Sequence, residues 1–275
     1  MNSIKKYFLF VVLALVSAAE SIAQKEAANW YFGQQVGIDF NLGTPVVTTN
    51  ITPLWVMEGS AVMSDNNGNI LFYTDARQIW DRNHIVMPNG SGLIGGGITS
   101  STQAAIIVPW PGSATKYFVF TLPDGLTALA DGFRYHVVDM SLNGGFGNVT
   151  TKNVLLNAIN SEKITAVKHC NGIDYWVVTH DMSNNFLVYL VSAAGLSAPT
   201  IYAIGPTYSI PNYDAAGQMK FSPDGSKLAV AIQRNSIVSL FDFNNATGVI
   251  SNPLVLNDAN LTGAYGIEFS PDATK

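Results

Sequence analysis

The chain has 275 residues, of which 48% are hydrophobic and 12% charged, with a formal net charge of −5. An apolar, sparsely charged chain packs a core rather than remaining a solvated coil. The lack of clustered Lys or Arg beyond the N-terminus argues against nucleic acid as a partner, and a single cysteine, Cys170, excludes an intrachain disulfide framework or a Cys-rich zinc site.

In chain order, residues 1–23 read first, as a secretory signal peptide. Lys5 and Lys6 precede ten consecutive apolar residues, 7–16, and the small-residue site Ser21-Ile22-Ala23 precedes Gln24. Ten helical residues span about 15 Å, half of a bilayer's ~30 Å hydrocarbon core. Cleavage before Gln24 is therefore expected. Residues 24–275 are then an exported domain, secreted or held at the cell surface, with no transmembrane span after cleavage.

Three short strand-like stretches follow, at 30–32, 37–40 and 45–49. From there the chain repeats. Phe221-Ser222-Pro223-Asp224-Gly225 recurs 48 residues later as Phe269-Ser270-Pro271-Asp272-Ala273. Weaker copies of the pattern are anchored at Met63, Val108 and Val167, so the spacings leading up to Phe221 are 45, 59 and 54 residues. Each copy has one grammar. A strand ends in a Pro/Asp/Asn/Gly turn, a short apolar strand such as Lys227–Ile232 follows, then a third over 133–140, 186–191 or 237–243, then a fourth such as 249–256.

Four short strands per roughly 50 residues predict an all-β chain, a β-propeller of four-stranded blades. A β-sandwich has no reason to reuse Ser-Pro-Asp at one period. Four whole blades are expected at 54–97, 98–153, 159–205 and 212–256, with two partial ones. The leading partial blade would hold three outer strands, and the trailing one breaks off at Lys275, where a turn should deliver the next strand. That predicts a C-terminally incomplete piece of a larger propeller, of as many as roughly seven blades.

The repeat also sets polar residues in phase. Five residues before the anchors stand Glu58, Gln103, Glu162, Ala216 and Ala264. First strands line a propeller's channel. Glu58, Gln103 and Glu162, with Lys163 beside the last, are thus expected on a hydrated ring near one mouth, a candidate site for a cation or polar ligand. Two channel-facing carboxylates also permit a glycosidase-like acid–base pair. Trp55 and Trp110, beside prolines in turns or loops, are the candidate exposed aromatic platform, whereas tryptophans inside strands are expected to pack between blades.

No metal site or cofactor is expected. His84, His136, His169 and His180 show no zinc spacing. The segment Asp65-Asn66-Asn67-Gly68-Asn69 lacks the downstream Glu of a calcium loop and sits at an inter-strand turn. Gly95-Gly96-Gly97 reads as loop, and no nucleophile elbow, P-loop or dinucleotide fingerprint is present. His169 and Cys170, neighbours on an extended chain, should point to opposite faces, so no Cys–His pair is expected.

Residues 221–231, FSPDGSKLAVA, resemble the inner-strand motif of WD40-like and lactonase-like propellers, with Phe241-Asp242-Phe243 where a Trp-Asp would stand. A closer resemblance covers nearly the whole chain after residue 23. Asn29-Trp30-Tyr31-Phe32-Gly33, Leu71-Phe72-Tyr73-Thr74-Asp75, Met87-Pro88-Asn89-Gly90, Ser101-Thr102-Gln103 and Tyr175-Trp176-Val177-Val178-Thr179-His180 carry it. They resemble the N-terminal propeller of large Bacteroidota surface proteins. That resemblance implies PKD-like modules downstream and a sorting domain of the gliding-associated type IX secretion route, and it carries over no catalytic residue. The sequence thus predicts an exported recognition or scaffolding module for a protein or glycan at the cell surface. The alternative is a propeller hydrolase, lactonase-like or glycan-cleaving, that uses the mouth carboxylates.

Overall fold

The computed structural model describes residues 25–96, 100–125, 129–209, 214–233, 237–257 and 262–275. The signal segment 1–23 and Gly97 of the glycine run lie outside the described residues. A leading sheet holds β1 (Asn29–Phe32), β2 (Val36–Asp39) and β3 (Val46–Thr49). The first full sheet is β4 (Ala61–Ser64), β5 (Ile70–Thr74), β6 (Gln78–Asp81) and β7 (Val86–Ser91). The second is β8 (Ala105–Pro109), β9 (Lys116–Thr121), β10 (Phe133–Asp139) and β11 (Asn148–Asn157). The third is β12 (Asn160–Lys168), β13 (Tyr175–Asp181) and β14 (Asn185–Ser192) with β15 (Gly195–Leu196) and β16 (Thr200–Ala203). The fourth is β17 (Met219–Phe221), β18 (Lys227–Ile232), β19 (Ile237–Asn244) and β20 (Val249–Asn257).

Every sheet is an antiparallel meander, with sequence neighbours paired in space except β15 and β16. β15 and β16 pair with opposite ends of one edge of β14. They are two halves of one fourth strand, broken where Pro199 has no N–H to give the ladder. The chain is therefore an all-β propeller of four-stranded blades, and its four full blades fall where the repeat predicts them.

The turns explain the regularity. Asp39, Asp65, Asp75, Asp81, Asp139, Asp181, Asp224 and Asp272 each accept, through Oδ1, the backbone N–H two residues on. Such a turn closes itself without help from elsewhere in the fold. The two Ser-Pro-Asp copies share their principal bonds. Ser222 and Ser270 donate to Asp224 and Asp272 at 2.6 Å, and accept at 2.9 Å from the N–H groups of Lys227 and Lys275. Gly225 and Ala273 both sit at positive φ, 68° and 57°, which glycine adopts freely and alanine does not.

Between successive sheets lies a layer of core. Tyr31, Leu54, Val56, Tyr73 and Trp80 join the leading sheet to the first full blade. Phe72, Ile79 and Met87 meet Val119, Val138 and Val149, Phe118, Phe120 and Phe133 meet Val177, Leu187 and Tyr189, and Trp176, Val178 and Phe186 meet Met219, Leu228 and Phe241. Val177 faces one neighbouring blade while Trp176 and Val178 face the other, the two-residue period of a strand buried on both sides.

Candidate functional site at the blade starts

The lead-in segments and first strands of the blades converge. Glu58 precedes β4, Gln103 precedes β8, and Glu162 and Lys163 lie in β12, where the pairing with β13 slips between Asn160 and Ile164. Successive residues of β12 point apart, and here they reach different blades. Glu162 turns toward the second blade. Its Oε2 accepts Thr102 N–H and Thr102 Oγ1, both at 2.7 Å, and its Oε1 accepts Gly125 N–H at 2.8 Å. Lys163 turns toward the fourth. Its Nζ donates to the carbonyls of Ala215, Ala216 and Gly217 at 3.0, 2.7 and 2.8 Å and stands 5.1 Å from the Tyr208 ring. Burial pulls this ammonium down to about 7, against the carboxylates of Glu162 and Asp214. Three carbonyls accepting all three protons favour its charged form.

Gln103 is the staple of the set. Its Oε1 accepts the N–H groups of Ile164 and Met219, at 3.2 and 2.9 Å, and its Nε2 donates to Met219 O at 3.1 Å. One side-chain amide from the second blade thus stands in for a peptide unit between the third and the fourth. Thr102 Oγ1 also accepts Gly217 N–H.

Glu58 stands at the edge of this network and is only half-buried. Ser100 Oγ lies 3.5 Å from its Oε2. Burial first, and then the charges of Glu162 and Asp124, push its carboxyl above the usual range, while Tyr265 and Ser100 pull the other way. The buried Tyr265 hydroxyl stands close enough to Glu58 to favour its ionised form, but short of full hydrogen-bond geometry. Its own ionisation is pushed far up, mainly by burial.

The structure therefore brings Gln103, Glu162 and Lys163 into one bonded network with Glu58 at its rim. The setting differs from the hydrated ring that the sequence predicts, since Glu162 is 3% exposed and Lys163 wholly buried. The cause is non-local: the segments at Thr102, Gly125 and 215–217 close over the two side chains from other blades. Gly59 allows the approach. Its N–H donates to Ser101 O, and an added Cβ would sit 2.3 Å from Ala104 N. Gly59→Ala is expected to destabilise the chain by about 2 kcal/mol or more, because the obstacle is backbone and cannot rotate away. Urea unfolding checks this.

The tryptophans divide differently from expectation. Trp55 is open, at 53% exposure. Trp110 is half-buried, stacked on Phe118 at 4.5 Å with its indole N–H toward Ala193 O, so it is packing rather than an open platform. Trp80 and Trp176 pack between blades, but Trp30, also within a strand, is 54% exposed. It escaped the sequence reading because nothing local shows that no sheet covers that face. His169 and Cys170 do not point apart: Cys170 Sγ lies 3.6 Å from His169 Nδ1. They stand at a turn, where strand alternation does not hold, and His169 Nδ1 already accepts Asn171 N–H. Asp65 spends its carboxylate on the N–H groups of Asn67 and Asn69 and on the Asn69 side chain. Among the described residues, no three His, Cys, Asp or Glu side chains gather closely enough to hold a metal ion, and no helix is long and apolar enough to cross a membrane.

No family model and no curated protein matches the chain. Solved structures do. Hydrazine synthase of Kuenenia stuttgartiensis superimposes with a TM-score of 0.51 at 13% identity, covering 91% of this chain and 70% of that one. A candidate 6-phosphogluconolactonase of Bacteroides uniformis gives 0.49 at 14% identity, over 86% and 68%. The periplasmic gluconolactonase of Pseudomonas aeruginosa gives 0.46 at 13%, over 84% and 63%. At such identities the likeness is one of fold alone.

Proposed function

We propose that the chain is an exported recognition module, which presents the half-buried carboxylate of Glu58 and the open indole of Trp55, three positions apart on one segment, to a surface glycan. The carrying observation is the state of the second carboxylate. Three donors from neighbouring segments occupy Glu162, two on Oε2 and one on Oε1, and with the residue buried its one remaining lone pair is shut away from substrate and water. Glu58 without a free partner is a ligand contact rather than half of an acid–base pair. The resemblance to Bacteroidota surface propellers supports export through residues 1–23, with display by the type IX route ahead of PKD-like modules.

A hydrolase is the second reading, and Glu58 is what favours it. A carboxyl held above its usual range beside a tyrosine hydroxyl is the setting of a general acid. The test pairs turnover with binding. Parent, Glu58→Gln and Trp55→Ala chains are assayed against sugar lactones and aryl glycosides between about pH 4 and pH 8, and against an array of glycans. No turnover is expected, together with a bound glycan whose affinity falls severalfold in each variant. Turnover that vanishes in Glu58→Gln would install the hydrolase. Glu58→Gln should also be as stable as the parent or slightly more so at neutral pH, by less than about 1 kcal/mol. A carboxyl whose folded pKa is raised loses stability as pH rises through that range.

A further inference from the structure

Gln103 stands before β8 and Trp110 just after it, so they mark opposite ends of that strand. At the Trp110 end the second and third blades, both whole, part to leave a cleft of about 400 Å³. Trp110, Phe118 and Tyr135 form its wall on the second blade, and residues 194–196, at the hairpin of β14 and β15, close it from the third. The wall is stiff. Trp110 lies flat on Phe118 with ring centroids 4.5 Å apart, and Phe118 on Phe120 at 5.8 Å. Tyr135 meets Phe118 at 5.7 Å, its ring turned by 60°.

The polar groups of the cleft come from the second blade. Lys116 is exposed, with its Nζ 5.9 Å from the centre of the Trp110 ring. Among the described residues it forms no ion pair. Its cross-strand partner Asp139 is buried and spends Oδ1 on the N–H and hydroxyl of Ser141. Thr150 and Thr151 both line the cleft, although neighbours in a regular strand point to opposite faces. A bulge is the cause. Val137 pairs with Thr151 and Val138 with Val149, so Thr150 is the extra residue and is re-aimed to the same side. Thr150 Oγ1 donates to Val137 O at 3.3 Å, which leaves its oxygen able to accept.

We propose that this cleft binds an acidic sugar, a pyranose that carries a carboxylate. Such a ring has an apolar C–H face and a rim of hydroxyls, which the aromatic wall and the two threonines match in turn. The unpaired ammonium of Lys116 selects the carboxylate by a charge-assisted hydrogen bond. The stacked wall is already ordered, so little freedom is lost on binding. The volume falls within the range of about 300–1,000 Å³ usual for small-ligand sites. The site shares no residue with the network at Glu58 and stands whether or not that network binds a glycan.

The probe is digalacturonic acid, titrated into the full chain by calorimetry beside its dimethyl ester. A dissociation constant on the order of 0.1–1 mM is expected for the acid, with the ester about tenfold weaker. Lys116→Gln should erase that difference and leave the ester's affinity as it was. Thr150→Val and Thr151→Val should each weaken both ligands severalfold. All three positions are exposed or half-buried, and the variants are expected to keep the parent's urea midpoint. Equal binding of acid and ester to the parent chain overturns the proposal, as does no binding up to about 10 mM. A preference for the acid that survives Lys116→Gln overturns it too. So does binding lost in Trp55→Ala and kept in Lys116→Gln, which would place the sugar beside Glu58 instead.

Discussion

Lys163→Ala is expected to cost about 3 kcal/mol or more of folding stability, since the buried carbonyls of Ala215 and Gly217 lose their donor at about 1–3 kcal/mol apiece and that of Ala216 keeps only the 3.4 Å bond from Gln233 N–H. In a chain of this size that lowers the melting temperature by roughly 6 °C or more. The exposed neighbour Lys168 provides the control, and Lys168→Ala should change stability by less than about 0.5 kcal/mol. Thermal and urea unfolding of the two variants side by side decide the matter. Equal midpoints would mean that water replaces the ammonium at no cost and that the third and fourth blades hold together without it.

Acid should weaken the fold well before the carboxylates titrate. Burial pushes His136 down to about 3 and His180 down to about 4. The hydrogen bonds agree. Asn153 N–H donates to His136 Nδ1 at 3.1 Å, which places the ring proton on Nε2 toward Thr121. His180 Nδ1 sits 2.7 Å from the Asp181 carbonyl, and its Nε2 is buried with no partner. A second proton would meet a donor in the first ring and no acceptor in the second. An unfolded histidine takes its proton near pH 6.5, so below that pH the unfolded chain binds more protons and stability falls with pH. Two groups at about 1.4 kcal/mol per unit put the loss between pH 6.5 and pH 4 on the order of 5 kcal/mol, as an upper bound. Urea midpoints measured down that range check it, and a flat profile to about pH 4.5 would refute it. The Ser222 hydroxyl holds Asp224, and the Ser270 hydroxyl holds Asp272, below the usual range, so those carboxylates act only at lower pH. His136→Gln should flatten the profile while lowering stability at neutral pH.

What the sequence made legible was whatever is local. Lys227–Ile232 is a strand to the residue, because Ser-Pro-Asp-Gly ahead of it closes on its own bonds. The phase of Glu58, Gln103 and Glu162 was readable from the repeat, because equivalent positions in equivalent blades must sit alike. The burial of Glu162 and Lys163 was not readable. It depends on segments at Thr102 and 215–217 that lie tens of residues away and carry no periodic signal. The broken fourth strand of the third blade was hidden for a related reason, since Pro199 marks a break but not which strand continues beyond it. Trp30 and Trp110 exchanged places because exposure within a strand depends on what covers the sheet.

The long reach of Gln103 imposes an order in time. Hairpins within a blade close in microseconds, but Gln103 and Met219 are 116 residues apart, and their bonds need the third blade already standing between them. As the chain emerges N-terminus first, Glu162 meets Thr102 and Gly125 as soon as the third blade forms, since both lie earlier in the chain. Lys163 must wait for Ala215, Ala216 and Gly217. Until they emerge it is an ordinary hydrated lysine on an open strand edge, where a positive charge discourages pairing with another nascent chain. The side chain that later locks two blades together first guards the growing edge against the wrong neighbour.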